Sequence, residues 1–291
     1  MGFPPDFDEA ESLDADEAFA LLGNEHRASI IQAIQELYAE GIYPPSFSEI
    51  RERVDAENSA QFNYHLQELA GHHVRRGDDG TYGLTHAGWS AVGAIWGGTD
   101  PQHVECSERT AESRCVGCGA DVVRVDFEHT WLFVRCPDCE TVRGRYPCPP
   151  SAVAGRDVTE ALEQLDLVVR AEMRLAANGV CRSCHGRSRV TTFPSRDVAP
   201  EDRLFEFRCG HCADHLWTNP GVYLLELPRV RAFCEDAGVD PDDRPFWEVP
   251  FCAGDDAFGV VDTDPWRCEA VLEVGGRRLE LVLDDSLQVV E

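Results

Sequence analysis

The sequence contains no lysine. All 26 basic residues are arginines, set against 53 aspartates and glutamates for a net charge of −27. It also lacks any apolar run of about 18 residues, so it offers no transmembrane helix. The segment Met1-Gly2-Phe3-Pro4-Pro5-Asp6 has neither the basic start nor the apolar core of a secretory signal. The expected location is therefore the cytoplasm, without a membrane partner. No phosphate-binding glycine loop, dinucleotide fingerprint or nucleophile elbow occurs. Acidic pairs such as Asp242-Asp243 and Asp284-Asp285 belong to a general excess of carboxylates and carry no catalytic signal. The expectation is a protein that is not an enzyme.

What is present begins with that acidity. Strongly acidic chains are often disordered, but 43% of the residues are hydrophobic and the acids are dispersed rather than blocked. A folded protein in molar salt fits better, because charge repulsion there is screened within about 3 Å. The composition resembles that of haloarchaeal proteins. Acidity normally argues against nucleic-acid binding. In molar salt counterion release contributes little, so a DNA reader gains little from a basic stripe and relies on base contacts and fit.

Residues 1–14 read as a loose acidic tail. A helical period starts at Ala15, with Phe19 and Leu22, then Ile30, Ile31, Ile34 and Leu37, and stops at Gly41 and Pro44-Pro45. Ser46-Phe47-Ser48-Glu49 has the spacing of a capping box and opens a short helix with Phe47, Ile50 and Val54 on its apolar face. A further helix is predicted from about Ser59 to Ala70. Val74-Arg75-Arg76, the turn Gly77-Asp78-Asp79-Gly80 and Thr81-Tyr82-Gly83-Leu84 make a β-hairpin. A last helix carries Trp89, Val92, Ile95 and Trp96.

That order is the order of a winged helix-turn-helix. Leu22-Gly23-Asn24-Glu25-His26-Arg27, Phe62-Asn63-Tyr64-His65-Leu66 and Leu84-Thr85-His86-Ala87-Gly88 resemble the ArsR-type winged helices of haloarchaea, over about residues 15–98. The following part resembles the cysteine-rich C-terminal region attached to such domains in haloarchaeal regulators. The resemblance implies a DNA-binding transcriptional regulator. ArsR-type metal sensors often place cysteines on a winged-helix helix; this segment has none, which puts sensing by that route in doubt.

In a helix-turn-helix the second helix enters the major groove. Phe62, Leu66 and Leu69 cluster within about 60° of the helix from Ser59, so they face inward. The outer side then presents Ser59, Ala60, Gln61, Asn63, Tyr64 and Gln67 as candidate DNA contacts. Asn and Gln can bond adenine edges, and Tyr can reach phosphate or a thymine methyl. Arg75 and Arg76 on the wing are candidates for phosphate or the minor groove. His65 lies beside the inward face and reads as packed. His72 and His73 read as loop histidines.

Thirteen cysteines in a cytoplasmic chain argue against disulfides. Their spacing points to metal. Cys115-x-x-Cys118 meets Cys136-x-x-Cys139 across 17 residues, and Cys181-x-x-Cys184 meets Cys209-x-x-Cys212 across 24. Each Cys-x-x-Cys turn aims two thiolates at one ion, and two turns close a tetrahedron. Strand-like runs lie between the turns: Val122 to Phe127, Trp131 to Val134, Arg189 to Phe193 and Leu204 to Phe207. Turn, hairpin, turn is the plan of a zinc ribbon, so two structural Zn²⁺ ions are expected. A closed four-cysteine site has no open coordination position and supports folding rather than catalysis. Redox use and iron–sulfur clusters are the rivals. Pairing between the two groups also stays open, as does replacement of a ligand by His185, His211 or His215. Cys234 on a helix and Cys268 on a strand read as core. Cys106, Cys148 and Cys252 lie in loops, where they are small buried residues or a thiol sensor.

Residues 158–177 form an amphipathic helix with Leu162, Leu165, Val169, Met173 and Ala176 on one face. Pro228 to Ala237 reads as a helix, and Cys268 to Val274 with Leu279 to Leu283 as a hairpin around Gly275-Gly276. The fold class is α+β: a winged helix-turn-helix, two zinc-ribbon modules, and a small C-terminal antiparallel sheet with helices. The divisions are an acidic tail (1–14), a DNA-binding domain (15–98), ribbon one (99–150), a helix (151–178), ribbon two (179–219) and a C-terminal part (220–291). The expected function is transcriptional regulation on duplex DNA, as a homodimer, with the ribbons structural or partner-binding. The alternative is a zinc-ribbon adaptor that binds transcription or RNA-processing proteins without touching DNA.

Overall fold

The computed structural model describes residues 13–99, 109–128, 130–194, 204–217, 219–253 and 257–291. It is a mixed helical and β structure with four small antiparallel sheets among the described residues. Two compact units divide it, Met1–Pro101 and Gln102–Glu291.

The first unit begins with α1 (Ala15–Leu22) and α2 (Glu25–Ala39). The continuous period in the sequence breaks between them, because the Asn24 side chain accepts from the Arg27 amide at 3.3 Å and starts a new helix. Phe19, which belongs to the apolar period, is exposed. α3 (Phe47–Arg53) is opened by the capping box: the Glu49 amide donates to Ser46 Oγ, and the Ser46 amide donates to Glu49 Oε2 at 2.7 Å. Asn58 caps α4 (Ser59–Leu69) through the amides of Ala60 and Gln61. β1 (Val74–Arg76) pairs antiparallel with β2 (Tyr82–Leu84), and α5 (His86–Ala94) follows.

Ile30, Ile31, Ile34 and Leu37 of α2 meet Ile50, Phe62, Leu66 and Leu69 in one buried cluster, closed by Val74, Tyr82, Leu84 and Val92. Each such side chain contributes roughly 1.5–3 kcal/mol relative to exposure. On the last helix only part of the expected apolar set is buried. Val92 is inside, whereas Trp89, Ile95 and Trp96 are exposed, and the chain passes into a single π-helical turn at Ile95–Thr99.

The second unit opens with a four-stranded sheet in chain order: β3 (Arg109–Glu112), β4 (Val122–Glu128), β5 (Trp131–Arg135) and β6 (Val142–Pro147). The 20-residue α6 (Val158–Ala177) follows, capped by Asp157 with Glu160 in a capping box. A three-stranded sheet comes next, from β7 (Ser188–Thr192), β8 (Phe205–Cys209) and β9 (His215–Leu216). α7 (Pro220–Leu224), α8 (Pro228–Asp236) and α9 (Pro250–Ala253) lead to a sheet of β10 (Phe258–Thr263), β11 (Trp266–Val274) and β12 (Arg277–Leu283). Gly275 and Gly276 both have positive φ, 57° and 76°, and make the β11–β12 turn.

These segments share one core. Leu165, Val169 and Met173 of α6 belong to the same buried cluster as Leu132 and Val134 of β5, Phe205 and Phe207 of β8, and Ala270, Leu272 and Leu281 of the last sheet. Among the described residues no helix is long and apolar enough to cross a membrane.

Candidate functional site

The eight paired cysteines form two separate groups. Cys115 and Cys118 lie in the turn between β3 and β4, and Cys136 and Cys139 in the turn between β5 and β6. The β4–β5 hairpin folds the two turns onto each other, with Val125 opposite Val134 and Arg124 opposite Arg135. Cys181 and Cys184 follow α6, and Cys209 and Cys212 join β8 to β9, brought together by the β7–β8 pairing of Ser188 with Cys209. Each group closes on itself, with all four sulfurs within 4.8 Å of one another.

The sulfur spacing discriminates between chemistries. Cys115 to Cys139 is 3.8 Å, Cys118 to Cys136 3.5 Å, Cys181 to Cys212 3.7 Å and Cys184 to Cys209 3.5 Å. A disulfide needs about 2.05 Å. Four thiolates about 2.3 Å from one ion sit about 3.8 Å apart at the corners of a tetrahedron. The residues therefore fit a tetrahedral divalent ion, and each group could hold one.

All four turns share one backbone plan. The amide of the first cysteine donates to the carbonyl five residues on: Cys115 to Ala120 (2.7 Å), Cys136 to Thr141 (3.0 Å), Cys181 to Gly186 (2.8 Å) and Cys209 to Asp214 (2.8 Å). The residue after the second cysteine has positive φ each time: Gly119 at 80°, Glu140 at 58°, His185 at 56° and Ala213 at 60°. A left-handed residue there reverses the chain so that both sulfurs face the same point. Only Gly119 announces this in the sequence, since glycine alone adopts the region without a steric cost.

The thiols are not equivalent: Cys118, Cys181 and Cys212 are pushed up, while local donors hold Cys139 and Cys209 down. The Ser183 amide points at Cys181 Sγ (3.4 Å), the Gly186 amide at Cys184 Sγ (3.4 Å) and the His211 amide at Cys209 Sγ (3.3 Å). Hydrogen bonds from the Cys212 and His211 amides hold the Cys209 thiol down to about 6. The Thr141 side chain, its amide and the Arg143 guanidinium hold Cys139 down to about 5. Neither Arg143 nor the pair Arg182–Asp214 carries a spacing signal. Arg143 comes within 3.6 Å of Cys139 Sγ, and Arg182 Nε donates to Asp214 at 3.1 Å beside the second group. His185 and His211 are exposed and the four sulfurs already complete the group without them.

Four of the remaining cysteines are described, and none of them is part of these groups. Cys148, Cys234, Cys252 and Cys268 are all buried. Cys252 lies in the short helix α9 rather than a loop, and burial pushes its thiol up. Cys106 lies outside the described residues.

In the first unit, Ser59, Ala60, Gln61, Asn63, Tyr64 and Gln67 of α4 are all exposed, as are Arg75 and Arg76 of β1. Tyr64 is 57% exposed, while Phe62 and Leu66 are at 4% and 0%. Gln61 Nε2 contacts His26 Nε2 at 3.2 Å. The His65 ring packs 5.0 Å from His26 and 5.2 Å from Tyr64, centroid to centroid. Arg75 reaches the Tyr43 hydroxyl at 3.4 Å.

Two family models match the chain, each inside one compact unit. Residues 15–95 match Domain of unknown function (DUF7347), and residues 112–289 match Domain of unknown function (DUF7351). The second match covers more than half of the chain, which belongs to that family. No curated protein and no solved structure matches.

Proposed function

We propose that this protein is a transcriptional regulator of the ArsR type, whose first unit is a winged helix that reads duplex DNA. One observation carries the reading. α4 buries Phe62, Leu66 and Leu69 and turns Asn63, Tyr64 and Gln67 outward, beside a hairpin whose Arg75 and Arg76 are exposed. An exposed row of amide and phenol groups on a rigid helix suits base edges in the major groove. Two arginines on the adjacent hairpin suit phosphate or minor-groove contacts. Exposed Trp89, Ile95 and Trp96 after the hairpin leave apolar surface for the second copy of a homodimer.

The eight cysteines of the second unit hold two structural zinc ions. The donor set is all thiolate and tetrahedral in spacing, with no open position for a substrate, so the unit is a scaffold and a partner surface rather than a catalyst. The protein works in the cytoplasm of a halophile, where molar potassium chloride screens its carboxylates.

Genomic-fragment pulldown in molar KCl, followed by fluorescence anisotropy on an enriched site, tests the reading. Enrichment of a defined site and at least a tenfold loss on Tyr64→Ala or Gln67→Ala are expected. Absence of any enriched site, or enrichment indifferent to both substitutions, sinks the DNA-reading role and leaves the adaptor reading.

A further inference from the structure

A pocket of about 390 Å³ lies in the second unit, beside the Cys181–Cys184 turn. Its floor is one face of α6, where Ala161, Gln164, Leu165, Val168 and Glu172 follow each other at helical spacing. One wall is the end of β6 with the Tyr146 ring, Pro147 and Cys148. The opposite wall is Arg182 and Ser183, the two residues inside the Cys181-x-x-Cys184 turn. The volume falls in the range of small-molecule sites, and the mix of an apolar wall with a few convergent polar groups is theirs as well.

The polar end defines what would fit. Arg182 is held from two sides, donating to Glu172 at 2.6 Å and to Asp214 at 3.1 Å. Tyr146 lines the same end, where burial first and the Glu172 carboxylate second push its phenol up. Two carboxylates against one guanidinium leave a net negative end, and four thiolates around one divalent ion add further negative charge beside it. The guanidinium is already claimed, so an incoming carboxylate finds no cation to itself. A carboxylate such as Glu172 has about four lone-pair sites, and the Arg182 donor leaves capacity for another.

We infer that this cavity is a binding site for a small apolar molecule that ends in an ammonium or hydroxyl donor directed at Glu172. The apolar body lies along Leu165 and Val168, and the donor head sits at the Glu172–Arg182–Tyr146 end. An occupant touches the Cys181–Cys184 turn directly and so couples to the second metal group. The site belongs to the second unit alone and does not depend on DNA reading by the first.

The test uses the full metal-loaded chain in molar KCl and three indoles with one ring and different heads: tryptamine, tryptophol and indole-3-acetate. Binding is read by saturation-transfer NMR and calorimetry. Tryptamine and tryptophol are expected to saturate a single site, with indole-3-acetate at least about tenfold weaker. Val168→Trp fills the cavity and is expected to weaken tryptamine at least about tenfold, whereas Leu167→Trp, on the exposed side of α6, leaves it unchanged. Alkylation of Cys148, read by peptide mass spectrometry on the unsubstituted protein, is expected to slow when tryptamine is present. This second readout holds if Val168→Trp fails to fold. No binding of either donor-headed probe up to about 10 mM, tightest binding of the carboxylate, or full binding to a folded Val168→Trp protein each overturns the inference.

Discussion

The backbone carbonyl of His73 occupies the place where a side chain on Gly88 would begin. A Cβ there would overlap the carbonyl oxygen and come within 3.2 Å of Leu84 Cδ2. Thr85 tightens the same junction: its hydroxyl donates to the His72 carbonyl at 2.6 Å and accepts from the Gly88 amide at 3.2 Å. The string Thr85-His86-Ala87-Gly88 is therefore a helix start pressed against the hairpin entry. Gly88→Ala should destabilise the first unit by about 1–3 kcal/mol through overpacking against backbone. Hydrogen exchange of the α4 and β2 peptides would report it, and unchanged protection would refute the contact's importance.

The left-handed residues of the cysteine turns predict opposite effects of glycine and alanine. Ala213→Gly relieves a left-handed alanine and should leave stability unchanged or raise it by up to about 1 kcal/mol. Gly119→Ala should lower it by about 1 kcal/mol. Chemical denaturation of the metal-loaded protein measures both. The same sign for the two substitutions would show that the turns are not the common structure described.

Metal analysis should give two ions per chain, and Cys115→Ser or Cys209→Ser one. Because the two units have separate cores, chelation should unfold residues 102–291 while leaving protection of α2 and α4 intact. Retention of native exchange in β4, β5 and β8 after complete metal removal would contradict a structural role.

His73 is buried, and burial first, with the charge of His72 second, holds its imidazole below the ordinary value. The folded state thus binds fewer protons than the unfolded one below about pH 6.5. The stability this residue contributes is complete above that pH and is lost as pH falls through the lower folded value. Comparison with His73→Phe removes the background from the many carboxylates. The unsubstituted first unit should lose more stability than the variant between about pH 7 and 5, read by exchange of β1 and α4. Equal slopes would exclude His73 as the cause.

Much of this was legible along the chain because the signals are local. The Ser46–Glu49 capping box, the buried Phe62–Leu66–Leu69 face and the glycine turn at Gly275-Gly276 each depend on neighbours a few residues away. The cysteine spacing named all eight members of the two groups, since two Cys-x-x-Cys turns separated by a hairpin close a tetrahedron in few ways. β3, β6 and β10 were not legible. They are short strands whose pattern acquires meaning only against a paired neighbour, as when Phe258 lies opposite Ala270. The break at Asn24 and the exposure of Phe19, Trp89 and Trp96 also escaped, because periodicity marks a helix face but does not say whether anything covers it.

By itself the sequence determined which eight cysteines are metal-ligand candidates, where most helices start and which side of α4 faces inward, all consequences of capping, spacing and periodicity. Tertiary structure alone decided that pairing occurs within each cysteine group, that the described segments from β3 onward share one core, and that Tyr146, Glu172 and Arg182 line one pocket. Those three residues lie 26 and 10 positions apart in sequence. No local rule links them, and only the fold of the second unit brings the end of β6, α6 and the Cys181–Cys184 turn together.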